Sequence, residues 1–418
     1  MNIAMPSLSS DPDIQRILQN ELERQRESLE LIPSENFVSR DVLRALGSVL
    51  TNKYAEGYPG NRYYGGTEHV DALEALAIAR AKQLFGAEHV NVQPLSGAPA
   101  NIAVYSALLK PGDTVLGMSL SHGGHLTHGH PVTWMAKLFQ FVRYGTSADG
   151  RIDYDEIRAL AREKHPTLIL VGYSAYSRDI DYPAIKAIAD EVGARTMADV
   201  AHIAGLITAG EMRNPVPLFD VVTTTTHKTL RGPRGGMILC KDVLAKTIDK
   251  AVFPGFQGGP HPHNIAAKAV AFGEALRPEF KTYARQIIAN AQALCAVLKK
   301  GGLNIQFGGT ENHLILADVT SFGLTGREAQ ERLDRVRITL NKNMIPNDPR
   351  KPMDPSGIRL GTPALTTRGM KEEEMERIGD AIITCLRHPN DEKTMAGIDA
   401  TVRDLTERFP LYPGLSYL

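Results

Sequence analysis

The chain has 418 residues, of which 43% are hydrophobic, so it is long enough for two or three domains with sizeable cores. Lysine and arginine together number 47, as do aspartate and glutamate, and the formal net charge is zero. This balance argues against a protein held on nucleic acid or on a membrane surface by bulk charge, although it allows a local basic patch.

The three cysteines indicate a reducing compartment. Cys240, Cys295 and Cys385 are odd in number, lie far apart and form no CxxC pair, so neither a disulfide framework nor a zinc ribbon is expected. The first residues, MNIAMPSLSSDPDIQ, lack a basic stretch followed by an apolar one, and no apolar run is long enough to span a bilayer. We therefore expect a cytoplasmic protein without a signal peptide.

The first 69 residues divide into a helix and an irregular segment. Residues 12–33 have helical periodicity that ends at Pro33. Residues 51–69, TNKYAEGYPGNRYYGGTEH, are rich in tyrosine and glycine and lack periodicity, which predicts an irregular loop. Long loops of this kind often carry function, and a plain surface linker is the alternative.

Residues 70–275 alternate between short apolar runs and helical patterns. Buried strands are predicted at 114–118, 167–173 and 220–226, and helices at 70–85, 99–109, 155–163 and 183–192. Strands that alternate with helices indicate a mostly parallel sheet with helices on both faces. We therefore predict a large α/β domain over this part of the chain.

From residue 276 to 418 the pattern changes to that of a smaller α+β domain. Its predicted elements are helix 279–300, strand 313–320, helix 326–337, a loop over 341–357 that is rich in proline and asparagine, and helices 370–387 and 393–408. Two glycines, Gly301 and Gly302, end the first of these helices.

A single lysine follows the strand predicted at 220–226. The stretch TTTTHKTLRGPRGG, residues 223–236, places Lys228 just past the carboxyl end of that strand, where open α/β sheets bind ligands. A lysine enclosed by protein there would have a lowered pKa and could attack a carbonyl, as in enzymes that use pyridoxal phosphate. A solvated loop lysine is the competing interpretation.

Asp199 gives the lysine a partner one βα unit earlier in the same sheet. It lies in TMADVAHIAGL, residues 196–206, within a short strand-like segment, and His202 follows three residues later. A carboxylate at a strand end can keep the pyridine nitrogen of pyridoxal phosphate protonated. The alternative is an ordinary helix-capping aspartate beside a packed histidine.

Two glycine-containing loops are candidates for a phosphate site. Ser96 and Gly97 in QPLSGAPAN precede a helix that opens at Pro99, so free N–H groups there would bind an anion. The loop QGGP, residues 257–260, could add donors. Ordinary turns explain most such loops, so each is a weak signal by itself.

Histidine and arginine supply the remaining candidates. The run SHGGHLTHGH, residues 121–130, has four histidines, but their spacing fits no zinc pattern and no acidic or cysteine ligand is near in the sequence, so no metal is predicted. We favour a ring that stacks on a flat cofactor, for His125 above all. If the substrate is an amino acid, Arg359 in SGIRLGTP would clamp its carboxylate; a surface ion pair is the alternative.

Nine ordered segments resemble the serine hydroxymethyltransferase family. They are SENFVS (34–39), NKYAEGYPGNRYYGG (52–66), HGGHLTHG (122–129), SAYSR (174–178), DVAHIAGL (199–206), TTTTHKTLRGPRGG (223–236), FPGFQGGP (253–260), NKNMIPNDP (341–349) and SGIRLGTPALTTRG (356–369). The resemblance spans nearly the whole chain, and the second and sixth segments are highly specific. It implies a pyridoxal phosphate enzyme of the aspartate-aminotransferase fold (fold type I), which transfers a hydroxymethyl group reversibly from L-serine to tetrahydrofolate, giving glycine and methylenetetrahydrofolate.

The resemblance also implies roles for particular residues. The catalytic groups would be Lys228, which carries the cofactor in a covalent imine, with Tyr54, Glu56, Tyr64, Thr225 and His227. The other cofactor contacts would be Ser96, Gly97, Ala98, His125, Ser174, Asp199, His202, Arg234, Gly258 and Gly259. The substrate carboxylate would meet Ser34 and Arg359, and folate would meet Leu120, Gly124, His125, Leu126 and Asn343.

In the family that the chain resembles, each active site is shared between two subunits. The tyrosine segment, with Tyr54 and Glu56, and the QGGP loop would come from the neighbouring copy, which implies a homodimer at minimum. Residues 1–69 would thus include an arm that reaches the neighbour, beside the domains at 70–275 and 276–418. A carboxylic acid at Glu56, neutral when it donates a proton, suits transfer of the one-carbon unit to folate.

Two departures from the family pattern concern ligand contacts. Ala98 stands where many members have a hydroxyl residue, so one phosphate hydrogen bond would be missing. Residues 351–353, Lys-Pro-Met, replace a segment that presents Ser-Pro-Phe to folate in many members. Three other interpretations stay open at this point: a folate-independent aldolase of 3-hydroxy amino acids, a transferase of α-methylserine, and a relative that only binds RNA or a protein partner.

Overall fold

The computed structural model describes residues 11–388 and 390–417, which form an α/β protein. Its strands are β1 (Leu29–Glu30), β2 (Gly57–Tyr58), β3 (Asn61–Arg62), β4 (His89–Asn91), β5 (Thr114–Met118), β6 (Gln140–Tyr144), β7 (Leu168–Gly172), β8 (Arg195–Asp199), β9 (Val221–Thr225), β10 (Gly236–Cys240), β11 (Asn304–Ile305), β12 (Leu314–Asp318), β13 (Ile338–Thr339), β14 (Asn341–Asn343) and β15 (Gly357–Gly361).

The helices alternate with these strands along most of the chain. They are α1 (Pro12–Glu27), α2 (Arg40–Leu46), α3 (Glu68–Phe85), α4 (Gly97–Leu108), α5 (Met135–Leu138), α6 (Tyr154–Lys164), α7 (Tyr182–Val192), α8 (Ala204–Thr208), α9 (Ala245–Lys250), α10 (Pro262–Ala275), α11 (Pro278–Lys300), α12 (Gly326–Asp334), α13 (Pro363–Thr367), α14 (Glu372–Arg387) and α15 (Glu392–Arg408). Among the described residues, no helix is long and apolar enough to cross a membrane.

A seven-stranded sheet in the order β4-β10-β9-β8-β7-β5-β6 forms the centre of the larger part of the chain. Strands β6, β5, β7, β8 and β9 run parallel, whereas β10 runs antiparallel to both β9 and β4. All residues of β7, β9 and β10 are buried, and two separate apolar clusters, one with α3, α6 and α7 and one with α4, pack on the sheet. The predicted mostly parallel sheet with flanking helices is confirmed, and the carboxyl ends of β8 and β9 lie side by side.

The carboxyl-terminal part has its own sheet and its own core. Strands β11, β12, β15 and β14 form an antiparallel sheet in that order. Helices α11, α12 and α14 contribute buried side chains such as Leu294, Leu333 and Ile378 to a cluster distinct from those on the larger sheet. The division into 1–69, 70–275 and 276–418 stays a prediction.

The predicted helix 12–33 is too long. The helix ends at Glu27, Ser28 takes an extended conformation, and the next two residues pair with β13. Ser28, Leu29, Glu30 and Leu31 are all buried, so this segment is a short strand covered on both faces and not the last turns of an amphipathic helix. The expectation about a signal peptide concerns in part residues 1–10, which lie outside the described residues.

Other boundaries also differ from the prediction. The predicted loop 341–357 begins with the edge strand β14, and helix 326–337 ends at Asp334, before Arg337 takes a left-handed conformation. The tyrosine- and glycine-rich segment is mostly irregular, as predicted, but contains the β2–β3 hairpin. Gly57 in that hairpin has a φ of 97°, which favours glycine over other residues.

Candidate active site

Lys228 lies on the loop that joins β9 to β10. The β-branched run Val221–Thr225 forms β9, and residues 226–235 form the loop that returns the chain to β10, which pairs with β9 in antiparallel register. Lys228 is 8% exposed. Its carbonyl oxygen accepts hydrogen bonds from Asn36 Nδ2 at 2.9 Å and from the N–H of Arg231 at 3.0 Å. The backbone that carries the amine is therefore held by groups on both sides.

The surroundings of Lys228 make its neutral amine more accessible than that of a solvated lysine. Burial, with the positive charges of Arg359 and Arg234, lowers the pKa of Lys228 to about 8, although the Asp199 carboxylate acts in the opposite direction. A neutral amine is the form that attacks a carbonyl. The side chain is therefore better suited to covalent chemistry than a solvated lysine, and the solvated alternative is wrong.

Asp199 ends β8 and faces the same space from the adjacent strand. Its Oδ2 accepts a hydrogen bond from Asn101 Nδ2 at 2.8 Å and lies 3.2 Å from His128 Nε2, while Oδ1 accepts from the N–H of Ala201 at 3.1 Å. Burial alone would raise the pKa of Asp199, but the hydrogen bonds from His128 and Asn101 hold it well below its ordinary value. Asp199 is thus a carboxylate at neutral pH.

Two side chains that bond Asp199, those of Asn101 and His128, lie outside the predicted site residues. Asn101, which is 1% exposed, also donates to Thr127 Oγ1 at 2.8 Å and accepts from Thr223 Oγ1 at 2.6 Å. For His128 a sequence signal exists, because it is one of the four histidines in residues 121–130. Nothing in the sequence distinguishes Asn101 from other polar residues of a helix.

His125, His128 and Asp199 could also hold a metal ion by their spacing, because one ligand atom from each lies within 4.8 Å of the others. No acidic residue lies near the histidine run in the sequence, but the fold brings Asp199 to it. His125 Nδ1 lies 2.7 Å from Thr127 Oγ1, and burial lowers the pKa of His125 to about 4, so its ring is neutral at neutral pH. Each of the three groups already has a hydrogen-bond partner within the protein. The absence of a metal stays a prediction.

His202 packs on a second buried histidine, His313, which was not predicted. The two rings stack with centroids 5.4 Å apart, and His202 Nδ1 lies 3.2 Å from His313 Nε2. Burial lowers the pKa of His313 to about 3 and that of His202 well below its ordinary value. Both rings are therefore neutral, so one of them donates the shared hydrogen bond and the other accepts it.

The N-terminus of α4 forms another part of the site. Ser96 precedes this helix, and no side chain among the described residues caps it, so the first turn retains N–H groups for an anion. The loop is closely packed: a Cβ on Gly97 would lie 2.8 Å from Thr225 Cγ2, and one on Gly236 would lie 2.5 Å from Ser96 O. Both positions therefore need glycine.

Arg359 reaches the site from β15 in the smaller sheet. Its Nη1 donates to Ser174 O at 2.6 Å and its Nε to Asn341 Oδ1 at 3.0 Å. Burial lowers the pKa of Arg359 to about 10, so the guanidinium stays charged at neutral pH. Both partners are neutral oxygens, and the described residues offer this charge no carboxylate, so Arg359 is not a surface ion pair.

These groups surround one cavity of about 360 Å³. Its lining consists of Ser34, Glu35, Ser96, Gly97, Ala98, His125, Tyr173, Ser174, Asp199, Ala201, His202, Thr225, His227, Lys228, Arg234 and Arg359. Three of them, Glu35, Tyr173 and Ala201, were not predicted, although Glu35 adjoins Ser34 in a segment that carries the family resemblance. Burial lowers the pKa of His227 to about 3, so its ring is neutral.

Tyr54, Glu56 and Tyr64 do not line this cavity. They lie beside the QGGP loop of their own chain: a Cβ on Gly258 would lie 3.4 Å from Glu56 Oε1, and one on Gly259 3.1 Å from Tyr54 Cε1. The Tyr54 hydroxyl is 3.3 Å from Glu56 Oε1, and the Tyr54 and Tyr64 rings are 4.9 Å apart. Both tyrosines are about half exposed, so they face the outside of the chain.

The residues predicted to meet folate lie mainly after the carboxyl end of β5. Leu120 begins a short 3₁₀ turn, the N–H of Gly124 donates to Ser119 O at 2.9 Å, and Leu126 is 45% exposed. Asn343 is separate from them, at the end of β14. Of the predicted folate group, His125 is the residue that lines the cavity.

Comparison with known proteins identifies the family. The family model described as serine hydroxymethyltransferase matches residues 8–382. A serine hydroxymethyltransferase of Synechococcus sp. is 58% identical over 420 residues, which cover 97% of each chain. Another, from Microcystis aeruginosa, is 59% identical over 416 residues, which cover 99% of this chain and 97% of the relative. The resemblance carried by the nine segments is therefore confirmed, and the chain belongs to the serine hydroxymethyltransferase family.

Proposed function

We propose that the cavity at Lys228 is the active site of a serine hydroxymethyltransferase and that Lys228 binds pyridoxal phosphate covalently. The family makes the chain a pyridoxal phosphate-dependent transferase, which moves a hydroxymethyl group between L-serine and tetrahydrofolate and leaves glycine. One observation carries the assignment of the site: the buried amine of Lys228, with its lowered pKa, faces the same cavity as the hydrogen-bonded carboxylate of Asp199.

The residues around the cavity fit the parts of this cofactor. Asp199, held as a carboxylate by Asn101 and His128, would keep the pyridine nitrogen protonated. The uncapped N-terminus of α4 at residues 96–98 would hold the phosphate. The neutral ring of His125 would stack on the pyridine. When bound, the cofactor supplies an electron sink for the bond that breaks at the substrate Cα.

The remaining groups of the cavity bind and orient the amino acid. Arg359 has N–H groups beyond the two that Ser174 and Asn341 engage, and with Ser34 it would hold the substrate carboxylate. His202 and Ser174 would lie near the phenolic oxygen of the cofactor. Thr225, His227 and Arg234 complete the wall around Lys228. A carboxylate fixed at Arg359 orients the substrate Cα, which sets the bond that breaks.

A second copy of the chain would complete the site. Tyr54, Glu56 and Tyr64 lie away from the cavity of their own chain and beside Gly258 and Gly259, which supports a homodimer in which both elements serve the neighbour. In that arrangement Glu56 donates a proton at the serine hydroxyl, with Tyr54 and Tyr64 beside it, and the two glycines contribute to the phosphate site.

Folate would bind outside the cofactor cavity, against the residues that follow β5 and against β14. Leu120, Gly124, Leu126 and Asn343 would contact it, with His125 at the border of the two sites. Ala98 offers no hydroxyl to the cofactor phosphate, so one phosphate hydrogen bond would be missing. Residues 351–353 differ from the pattern of many members in a segment presented to folate, so folate affinity would depart from theirs. The free, buried cysteines Cys240, Cys295 and Cys385 support a reducing compartment, and we propose the cytoplasm.

Reduction with borohydride tests the covalent assignment. The holoenzyme should lose its visible absorbance on reduction, and peptide mapping should find the cofactor on Lys228 alone. A cofactor fixed to any other residue would overturn the proposed site. Lys268, which is also buried and also has a lowered pKa, is the internal control for selectivity.

Substitution of Glu56 tests the catalytic role of the tyrosine arm, which we define as residues 54–64. Glu56→Gln should keep the cofactor absorbance and lose about 10²–10⁴-fold in folate-dependent serine cleavage, the usual range for removal of a general acid. Glu68→Gln, at the nearby start of α3, is the matched control and should keep full activity. Near-normal turnover of Glu56→Gln would remove Glu56 from the mechanism.

A further inference from the structure

A short stretch of backbone between β4 and Ser96 is bonded by side chains from three other places in the chain, Asn91, Gln257 and Lys268. We call residues 92–95 the connecting segment, because they lead from the central sheet to the loop at Ser96 and Gly97 that lines the cavity. The N–H or carbonyl of each of its four residues bonds a buried or partly buried polar group, and those groups come from different parts of the chain.

Lys268 in α10 binds the connecting segment from one side. It is 1% exposed, and its Nζ donates to Val92 O at 2.7 Å, Gly236 O at 2.8 Å and Pro94 O at 3.1 Å. Burial lowers the pKa of Lys268 to about 7, but three carbonyl acceptors favour the ammonium form, whose three N–H donors they use in full. A buried cation thus ties the approach to Ser96 to the first residue of β10.

Gln93 binds the connecting segment to the tyrosine arm. Its Nε2 donates to Gly57 O at 2.9 Å and to Glu74 Oε1 at 2.8 Å, and both partners are acceptors, which fixes the orientation of the amide. Glu74 in turn pairs at 2.7 Å with Arg62, which donates to the carbonyls of Ala55 at 3.0 Å and Gly57 at 2.7 Å. Gln93, Glu74 and Arg62 are all nearly free of solvent, so the arm is held by a buried polar cluster.

Gln257 binds the same segment to the QGGP loop. Its Oε1 accepts from the N–H of Leu95 at 3.0 Å, and its Nε2 donates to Gln93 O at 3.0 Å. The edge of the chain's own cavity, the tyrosine arm and the QGGP loop are therefore all bonded to four consecutive residues. On the proposed function, the edge of the cavity contributes to the chain's own cofactor site, and the tyrosine arm and the QGGP loop contribute to the neighbour's site.

We propose that Gln93 and Lys268 are positioning residues that couple the two halves of the paired active sites. When a ligand holds the phosphate loop at Ser96 and Gly97, the connecting segment should open less often, and through Gln93 and Gln257 so should the arm and the loop offered to the neighbour. A filled site on one chain therefore prepares the site on the other chain. The inference rests on the proposed sharing of sites, and its test is arranged so that the two can fail separately.

Hydrogen exchange in a mixed dimer measures this coupling directly. One chain is unlabelled and has Lys228; the other is heavy-isotope-labelled and is Lys228→Ala. Borohydride fixes pyridoxal phosphate to the first chain, and dialysis removes the rest. The reference is the same mixed dimer without cofactor, and mass distinguishes the peptides of the two chains.

We expect the cofactor to slow exchange at least about threefold in residues 55–63 of the chain that holds it, although that arm faces the empty neighbouring site. Gln93→Leu in that chain should abolish this protection while residues 199–201 stay protected. Lys268→Met should do the same and should also weaken cofactor binding. The matched control is Gln286→Leu, whose amide likewise donates to two acceptors, Asn290 and Glu372, in the smaller part of the protein.

Different results would contradict the coupling and the proposed sharing of sites. Protection of the arm only on the Lys228→Ala chain, or equal protection with and without Gln93, would overturn the coupling. Turnover is measured on the same mixed dimer before reduction with borohydride. If Glu56→Gln placed on the Lys228→Ala chain leaves turnover at the intact site unchanged, the sharing of sites fails instead. Circular dichroism of each variant checks that it is folded, and two variants at different positions in the network guard against the loss of one to misfolding.

Discussion

Asn101→Leu is the substitution that tests the electrostatics of the cavity most directly. The side chain donates to the Asp199 carboxylate and to Thr127, and it accepts from Thr223, all at 2.6–2.8 Å and without solvent. Leucine has nearly the same size and can make none of these bonds. The change therefore removes one donor from a buried charge and leaves the Thr223 hydroxyl without its acceptor.

The magnitude follows from the two kinds of bond that are lost. A hydrogen bond to a charged group is worth about 1.5–3 kcal/mol, and an orphaned buried hydroxyl costs about 1–3 kcal/mol. Because Thr223 Oγ1 can rotate, we expect the lower part of the sum, about 3 kcal/mol of lost stability at neutral pH. The first contribution alone would raise the pKa of Asp199 toward its ordinary value, because the carboxylate loses one of the donors that stabilise its charge.

The pH dependence identifies which part of the loss is electrostatic. The pKa of Asp199 is lowered in the folded chain, so its contribution to stability is present above the ordinary value near 3.9 and is lost as the pH falls through the folded value. Asn101→Leu reduces that contribution. The unfolded state titrates alike in the two proteins, so the difference in unfolding free energy should be constant at neutral pH and should shrink only as the pH falls below the ordinary value near 3.9 and through the folded-state pKa of Asp199.

Urea unfolding of the apoprotein and titration with pyridoxal phosphate are the two assays. The variant should bind the cofactor at least about tenfold more weakly, which equals about 1.4 kcal/mol. Asn290→Leu is the matched control, because Asn290 is a buried helix asparagine that donates to the neutral oxygens of Thr366 and Met370. Equal cofactor affinity in the two variants, or a stability loss in Asn101→Leu that persists unchanged into acid, would refute the reasoning.

Three further predictions concern separate features of the chain. Gly236→Ala places a Cβ 2.5 Å from Ser96 O, so it should displace the phosphate loop, cost about 1–3 kcal/mol of stability and weaken cofactor binding by titration, whereas Gly397→Ala, with open space within helix α15, should stabilise by up to about 1 kcal/mol. The rate at which apoprotein takes up pyridoxal phosphate, followed by absorbance, should rise with pH and level off above about pH 8, because the neutral Lys228 amine is the reactive form; a rate independent of pH would contradict its lowered pKa. Between pH 8 and about pH 10 the unfolded chain holds more protons at this lysine than the folded chain, so the same group should add stability as the pH rises. Burial raises the pKa of Cys240 to about 12 and of Cys385 to about 11, so both thiols, and the buried Cys295, should resist thiol reagents in the native protein and react in urea; fast labelling of the native protein would show that the cores open readily.

The elements that the sequence predicts well are those whose signal is local. The β-branched run before Lys228 forms β9, and the apolar runs at 114–118 and 167–173 form β5 and β7, because period and residue type act over a few residues. Strands β4, β6 and β10 of the seven-stranded sheet were not predicted. Strand β6 contains both exposed and buried side chains, so no continuous apolar run marks it. The antiparallel direction of β10 is set by its pairing with β9 and β4, which its own residues do not indicate.

The candidate site divides in the same way. Lys228, Asp199 and Arg359 are found from residue type and motif, and all three line the cavity. Asn101 meets Asp199 across 98 positions of the chain, and His202 meets His313 across 111. Such contacts depend on how strands and domains are brought together, so no local pattern indicates them. The helix 12–33 fails for a related reason, since its last residues pair with a strand about 310 positions away.

The reversed strand β10 has a consequence for the lysine loop that lies between it and β9. A parallel neighbour would need a crossover of a dozen residues or more, whereas an antiparallel one lets the chain return through a short loop. The two ends of this loop are bonded to each other, with Thr226 N donating to Gly235 O at 3.1 Å and Gly232 N to Thr226 O at 2.7 Å.

The Cα of Lys228 therefore works as a fixed pivot, and all travel of the amine must come from rotation about the bonds of its four-carbon stem. The amine of Lys228 can leave one bonding partner in the cavity and reach another by rotation of its side chain, without any rearrangement of the main chain. The amine reaches only as far as one lysine side chain extends. The reactions of the amine are therefore confined to the neighbourhood of the Lys228 Cα, whose position is fixed by the pairing of β9 and β10.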